Sequence, residues 1–530
     1  MRQLTFLLTF LALSACAPDV QEPPLDFILE GGTVYSGDDQ EGIVTDVGII
    51  GDRIAAIGDL DERQATLRLD VSGLAVAPGF IDIHSHAVRS EPGDGIFRWP
   101  DAENLIRQGV TTVIGGPDGG SPLPITDTLT AIENSPASVN FGTFVGHGSI
   151  RGLVIGEEDR PPTDEELDLM RAQVRQAMES GAYGLSSGLI YLPGRFAETE
   201  EVIELAKVAA EYDGIYISHM REEGLDLLKS VAETIRIGEE GGLPTQLTHH
   251  KVVGAPMWGK STETLRMVDE AIARGVDVSI DQYPYTASST SLTILFPGWS
   301  LDGGRPALLD RLADPEQRAR MKVDIVYRIE TDRGGNDPAN VALSNCPHDN
   351  SLNGLNLSQV LQQQEREVSK DNAADLLMEL VEAGNCSAVF HAIEEEDVKR
   401  IMAHPVTMPS SDGGIEGPSE RVPHPRNYGT FARVLGHYTR DLNVMPFHTA
   451  IHKISRLPAN RIGLTDRGRI EEGAVADIAV LDPAAIRDTA TFEQPHQYAE
   501  GAHHVFVSGQ AVLLNGEMTG ARPGKVLRSR

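Results

Sequence analysis

The stretch GFIDIHSH, residues 79–86, closes a short apolar run with two histidines one residue apart. Side chains two apart in a β-strand share a face, so His84 and His86 can converge on one spot. Imidazole is the commonest protein ligand for a transition metal. An isolated H-x-H pair also recurs by chance at solvent-facing strand ends. Its meaning therefore depends on whether further ligands stand at matching places along the chain.

Downstream the chain has a rhythm. Counting the opening run, eight apolar or β-branched segments follow one another: FIDIH (80–84), VTTVI (110–114), FGTFVG (141–146), YGLSSGLI (183–190), GIYISH (214–219), PTQLTH (244–249), VDVSID (276–281) and PVTMPSSD (405–412). Helical patterns lie between several of them. In TDEELDLMRAQVRQAMESG, Thr163 and Glu166 are spaced as a capping box, with Leu167, Met170, Val174 and Met178 on one face. TEEVIELAKVAAEYDG and STETLRMVDEAIARG both close on glycine. Strand and helix alternating in this way make βαβ units, and eight of them make an α/β protein of the TIM-like (β/α)8 barrel type. No glycine-rich phosphate loop follows the first strand, which argues against a doubly wound sheet.

The spacing predicts a barrel over residues 79–460, interrupted by an insertion at about 286–404 between the seventh and eighth strands. An insertion there lies on the side of a barrel's active site, and reads either as a lid or as a subdomain apart from the substrate. Residues 26–78 and 461–530 both read as short strands between Gly and Asp clusters. They predict one small β-sandwich built from the two ends of the chain.

The N-terminus has Arg2, an apolar run from Leu4 to Leu13, and small residues before Cys16. That run is too short to span a bilayer and fits a secretory signal over residues 1–15. LSAC resembles the bacterial lipobox, which implies lipidation of Cys16, and residues 16–25 read as a tether. The expectation is an exported bacterial lipoprotein on the periplasmic face of a membrane, the outer membrane foremost, touching lipid only through that anchor. Export permits a disulfide, and Cys346 and Cys386 are the two cysteines left to form one. The chain carries 78 Asp plus Glu against 45 Lys plus Arg, a net charge of -33, which opposes nucleic acid as a partner.

In a barrel the chemistry sits at the C-terminal ends of the strands. Those positions hold His84 and His86, Asp118, His147, His219, His249 and Asp412. His84, His86, His219 and His249 at three such ends, with Asp412 at the last, suit Zn2+ or a similar divalent ion. His147 is as compatible with hydrogen-bonded structure as with a site.

GFIDIHSH with the later histidines and SDG resembles the amidohydrolase superfamily. GVTTVIGG, GAYGLSSGLIYLPGRFAETEE, YISHMREEG, LTHHKVVG, DQYPYTASST and HPRNYGTFARVLGHY are similar to the N-acyl-D-amino-acid deacylases, or D-aminoacylases, from about residue 26 to the C-terminus. That resemblance implies a barrel with a small β-sandwich, one or two Zn2+ ions, and a small N-acyl amino acid or dipeptide as substrate. It implies metal ligands at His84, His86, His219 and His249, and Asp412 as the carboxylate that works on water. It further implies Lys251, Tyr283 and Arg426 as holders of the substrate α-carboxylate, with Tyr191 a substrate contact. His250 matches none of these roles. Members of that family usually carry GNCG after the second strand, where the cysteine bridges or ligates metal. Here GPDGG puts Asp118 in that place, a harder ligand that is still competent as a bridge.

The expected reaction is hydrolysis of a linear amide by metal-activated water, with Asp412 as general base and then acid. Rival readings are a dipeptidase, a cyclic-amide hydrolase, and a lipid-anchored binding protein without catalysis. Cyclic-amide hydrolases of the superfamily commonly use a carboxylated lysine on the fourth strand, and YGLSSGLI has no lysine.

Overall fold

The computed structural model describes residues 23–88 and 94–529, so the expected signal segment and Cys16 lie outside the described residues. Eight parallel strands form a barrel: β1 (Phe80–Asp82), β2 (Val110–Gly115), β3 (Asn140–Thr143, continued by Val145–Gly146), β4 (Gly184–Gly188), β5 (Ile215–His219), β6 (Thr245–Leu247), β7 (Val278–Gln282) and β8 (Thr407–Pro409). Each falls within or overlaps one of the eight runs expected from sequence. They pair in chain order, β1-β2-β3 and then β3-β4-β5-β6-β7-β8. The seam between β8 and β1 closes just beyond the strand ends. There the Asp412 amide donates to the His84 carbonyl at 3.0 Å, and Ser85 pairs with Gly413. Every residue of β2, β4, β5, β6 and β7 is buried, because helices cover the outside and side chains fill the inside.

The helix over Asp164–Glu179 starts as its sequence dictates. Thr163 accepts from the Glu166 amide while the Glu166 side chain reaches back, and Met170, Val174 and Met178 are buried. Leu167 is only partly buried, at the edge of the same core. Both ends of the chain build one nine-stranded sheet, in which Ala75–Pro78 lies between Leu25–Val34 and Ile478–Leu481. Its own core joins Leu29, Val47 and Val76 to Ile478, Val480 and Phe506. The final segment leaves this sheet and runs along the barrel, where the Phe141 amide donates to the Lys525 carbonyl and Leu527 donates back to Phe141.

The insertion has a separate core. Ser288–Ser291, Val341–Asn345 and Ser387–Phe390 form a three-stranded antiparallel sheet, packed by the helices Pro315–Thr331 and Lys370–Ala383. Cys346 and Cys386 are joined in a disulfide inside that core, both of them buried. The helix Glu395–Ala403 packs on β8 and returns the chain to the barrel.

Candidate metal centre and substrate cavity

All of the expected ligands meet at the C-terminal mouth of the barrel. His84 and His86 follow β1, Asp118 follows β2, His219 ends β5, His249 follows β6, and Asp412 follows β8. Asp118, His249 and Asp412 adopt the left-handed backbone region, with φ of 55°, 33° and 49°. That region is costly for residues other than glycine, and such strain gathers at functional sites. Around Asp118 the glycines of GPDGG make the approach possible: a Cβ on Gly119 would stand 2.6 Å from the Gly188 amide, and one on Gly188 would stand 2.1 Å from the Asp118 carbonyl. The turn lies directly on the backbone of β4.

The ligand atoms fall into two groups that share one carboxylate. His84, His86, Asp118 and Asp412 form one, and Asp118, His219 and His249 the other. Asp118 Oδ1 lies 3.4 Å from His84 Nε2, 3.2 Å from His249 Nε2 and 3.7 Å from His219 Nδ1, while Oδ2 lies 3.4 Å from His86 Nε2. Asp412 Oδ1 lies 3.1 Å from His86 Nε2 and 3.5 Å from His84 Nε2. Zinc–ligand bonds of about 2.0–2.1 Å in a tetrahedron separate neighbouring ligand atoms by about 3.3 Å. These spacings fit that figure, while His249 Nε2 and His219 Nδ1 stand closer, hydrogen-bonded at 2.7 Å. His84 Nε2 and Asp118 Oδ1 are buried and find no hydrogen-bond partner among the described residues, as suits atoms built to face a cation.

Burial alone would lower His84, His86 and His249, yet the carboxylates facing them raise all three above the usual imidazole range, and the proton each gains is one that a bound cation would displace. Burial alone would raise Asp118 and Asp412, yet the imidazoles around Asp118, and Arg426 with the histidines around Asp412, hold both carboxyls well below the usual range. His219 is pushed down to about 4, by burial first. Anionic carboxylates and a neutral imidazole are the forms that ligate.

Behind the ligands stands a layer that the motifs did not disclose. Asp281, on β7, lies 3.3 Å from His84 Nδ1 and accepts from Ser410 Oγ at 2.8 Å and Gln246 Nε2 at 2.6 Å. Glu223, four residues past His219 and fully buried, lies 3.2 Å from His249 Nδ1 and 3.6 Å from His219 Nε2. An aspartate ending the run VDVSID was visible in sequence as another strand-end carboxylate. Glu223 was not separable from its neighbour Glu222.

The same mouth opens into a cavity of about 770 Å3. Lys251, Tyr283 and Arg426 cluster in its wall, with the Lys251 ammonium 5.4 Å and the Arg426 guanidinium 4.8 Å from the Tyr283 ring centre. Arg426 Nη1 donates to Asp412 Oδ2 at 2.6 Å, and Lys251 Nζ donates to Glu223 Oε1 at 2.5 Å. Tyr191 stands edge-on to His219, ring centres 4.5 Å apart, and its hydroxyl accepts from Thr290. The insertion supplies the opposite wall through Ser288–Ser291, Arg333, Ser344, Asn345 and Ser387. Of the two readings left open, the insertion is therefore part of the cavity. His250 turns away to Thr264 at 2.8 Å, and His147 pairs with buried Glu201 at 2.8 Å; neither joins a ligand group.

A barrel closed in chain order with imidazoles and carboxylates converging on its C-terminal mouth defines a metal-dependent hydrolase scaffold. Residues 69–513 match the Amidohydrolase family, and the chain belongs to that family. It is 39% identical to a D-aminoacylase of Alcaligenes xylosoxydans xylosoxydans over 95% of this chain and 98% of that one. Its structure is similar to that of a D-aminoacylase with a binuclear metal centre, at TM-score 0.80 and 36% identity, covering 95% of this chain and 100% of that one. It is also similar to N-acyl-D-glutamate deacylase from Bordetella bronchiseptica in complex with zinc and a phosphonate inhibitor, at TM-score 0.81 and 31% identity, covering 96% and 100%.

Proposed function

We propose that this chain is a zinc-dependent deacylase of N-acyl-D-amino acids. The observation that carries the reading is Asp118, whose carboxylate belongs to both candidate groups, with His84, His86 and Asp412 in one and His219 and His249 in the other, the residues that would hold the metal. A divalent ion held there would supply Lewis acidity for the amide carbonyl and an acidified water with a pKa of about 7.

The remaining work falls to side chains. Asp412 Oδ1, turned toward His86 and His84, takes a proton from water and later returns it to the leaving amine. Arg426 keeps that carboxyl ionised and faces the cavity together with Lys251 and Tyr283. Two cations and a phenol in one wall suit a free α-carboxylate on the leaving group. D-selectivity rests on the relatives alone. β4 has no lysine, which disfavours a cyclic-amide hydrolase built on a carboxylated lysine.

The test is a panel of N-acetyl-D- and N-acetyl-L-amino acids and dipeptides, with metal content measured on the same preparation. Hydrolysis confined to N-acyl-D-amino acids, lost on chelation and restored by Zn2+, is the expected result. Bound metal with hydrolysis of dipeptides or hydantoins alone overturns the substrate assignment, and a protein without metal or turnover overturns the whole.

We also infer export and lipidation at Cys16. The apolar run before LSAC supports this, as does the Cys346–Cys386 disulfide, since such bonds persist in oxidising compartments. Mass spectrometry of the mature N-terminus decides it: a diacylglyceryl cysteine is expected, and an intact Met1 overturns the inference.

A further inference from the structure

We propose that Glu223 is the positioning residue for both histidines of one half of the metal centre. We further propose that Arg333 ties Glu223 to the insertion, so that the insertion sets how tightly that half holds its cation. This rests on the reading that the two ligand groups bind divalent ions.

An imidazole that ligates through one nitrogen carries its proton on the other, and that N–H needs an acceptor to fix the ring. His219 turns Nδ1 and His249 turns Nε2 toward Asp118, at 3.7 and 3.2 Å. Their outer nitrogens face one carboxylate: His249 Nδ1 is 3.2 Å from Glu223 Oε1, and His219 Nε2, which makes no hydrogen bond among the described residues, stands 3.6 Å from Glu223 Oε2. Lys251 Nζ, which offers only donors, donates to the same Nδ1 at 2.7 Å, a contact that gives way when that nitrogen carries the proton. Once His249 Nε2 is committed to a cation, Glu223 is the acceptor that its Nδ1–H can use.

The two halves of the centre are supported differently. His84, in the first half, has Asp281 behind it, which Gln246 and Ser410 of the barrel hold and which touches the second half only through the His249 backbone amide, at 2.8 Å. Glu223 is held by Lys251 and also by Arg333, whose Nη2 donates to Glu223 Oε2 at 2.5 Å and whose Nη1 donates to Ser288 Oγ at 3.1 Å. Arg333 follows the insertion helix Pro315–Thr331 and is only 2% exposed. The insertion is seated tightly at this point: a Cβ on Gly254, in the loop after β6, would stand 2.4 Å from the Thr331 carbonyl. A buried carboxylate between two cations loses its fixed orientation when either is removed.

The test uses the full-length protein, stripped with a chelator and titrated with Zn2+ against a chromophoric competitor, with Co2+ absorption reporting coordination. Wild type is expected to bind two equivalents. Glu223→Gln and Arg333→Met each weaken one equivalent by about 10–100-fold and spare the other. Asp281→Asn weakens the opposite equivalent. Thermal melts establish that each variant is folded, and if Glu223→Gln is not, Arg333→Met decides alone. Wild-type affinity for both equivalents in folded Arg333→Met overturns the role of the insertion, and the same result in Glu223→Gln overturns that of Glu223. A wild type that binds no divalent ion overturns the reading of the centre itself, and the proposal with it.

Discussion

Arg426 and Asp412 form a buried ion pair in which guanidinium Nη1 meets carboxylate Oδ2 at 2.6 Å, leaving Oδ1 to the histidines. The arginine thus touches the proposed base and the proposed carboxylate pocket together. Arg426→Ala is expected to cost about 2–3 kcal/mol in transition-state stabilisation, roughly 30- to 160-fold in kcat/KM. The cation holds the Asp412 carboxyl down, so its loss raises that pKa and moves the acid limb of the pH–rate profile to higher pH. A pH profile of the variant on N-acyl amino acids and on the matching carboxamides checks both effects. An unmoved acid limb, with loss confined to carboxylate substrates, would leave Arg426 as a binding group alone.

The wall contributed by the insertion is lined by hydroxyls and an amide, with Arg333 and Arg421 in the same cavity. A site built to hydrogen-bond a substrate penalises an analogue that leaves its polar groups unpaired. N-acetyl-D-glutamine and N-acetyl-D-glutamate are therefore expected to exceed N-acetyl-D-leucine in kcat/KM by about tenfold or more. Equal or reversed rates would show that substrate does not engage this wall.

The Cys346–Cys386 bond closes a loop with a sequence separation of 40 inside the insertion core. The chain-entropy relation gives it about 4 kcal/mol. Replacing both cysteines by serine should loosen residues 288–390 and leave the barrel strands protected. Hydrogen exchange read by mass spectrometry separates the two regions, and uniform deprotection would count against an independent insertion core.

Lys453 is 1% exposed and donates to the Met402 and His404 carbonyls, both at 2.6 Å. Burial presses its ammonium from the ordinary 10.5 down to about 7. Between those values the unfolded chain binds a proton that the folded chain does not, so this residue makes stability rise with pH across the window. The slope is at most about 1.4 kcal/mol per pH unit. Below it, both states carry the charge and the folded state bears the full burial cost. Urea unfolding at pH 7, 8 and 9 should show the rise in wild type, and Lys453→Met should flatten it.

The barrel was legible because its strands are short apolar runs punctuated by glycine, and the cluster of imidazoles and carboxylates because a barrel collects chemistry at strand ends. GPDGG was readable for the same reason: only a turn of glycines lets Asp118 rest on β4. The supporting layer was hidden by different physics. Glu223 stands beside Glu222 in REEG, and local pattern does not say which of two adjacent carboxylates turns inward. Arg333 reaches the site only because an antiparallel sheet and a helix fold back over the barrel, a long-range arrangement with no local signature. Lys251, Tyr283 and Arg426 line the cavity, and their partners Asp412 and Glu223 emerge only in three dimensions.

One feature of the sheet built from both termini bears on biosynthesis. Ala75–Pro78 pairs on one side with Leu25–Val34, made just before it, and on the other with Ile478–Leu481, made after the whole barrel. Whether the chain emerges from a ribosome or from an export channel, that neighbour arrives last. Until then the nascent chain bears an unpaired apolar edge, the kind that recruits wrong partners. Holding the early strands apart from other chains until the late ones emerge is thus a requirement of this topology, and shortening either terminus would damage the same sheet.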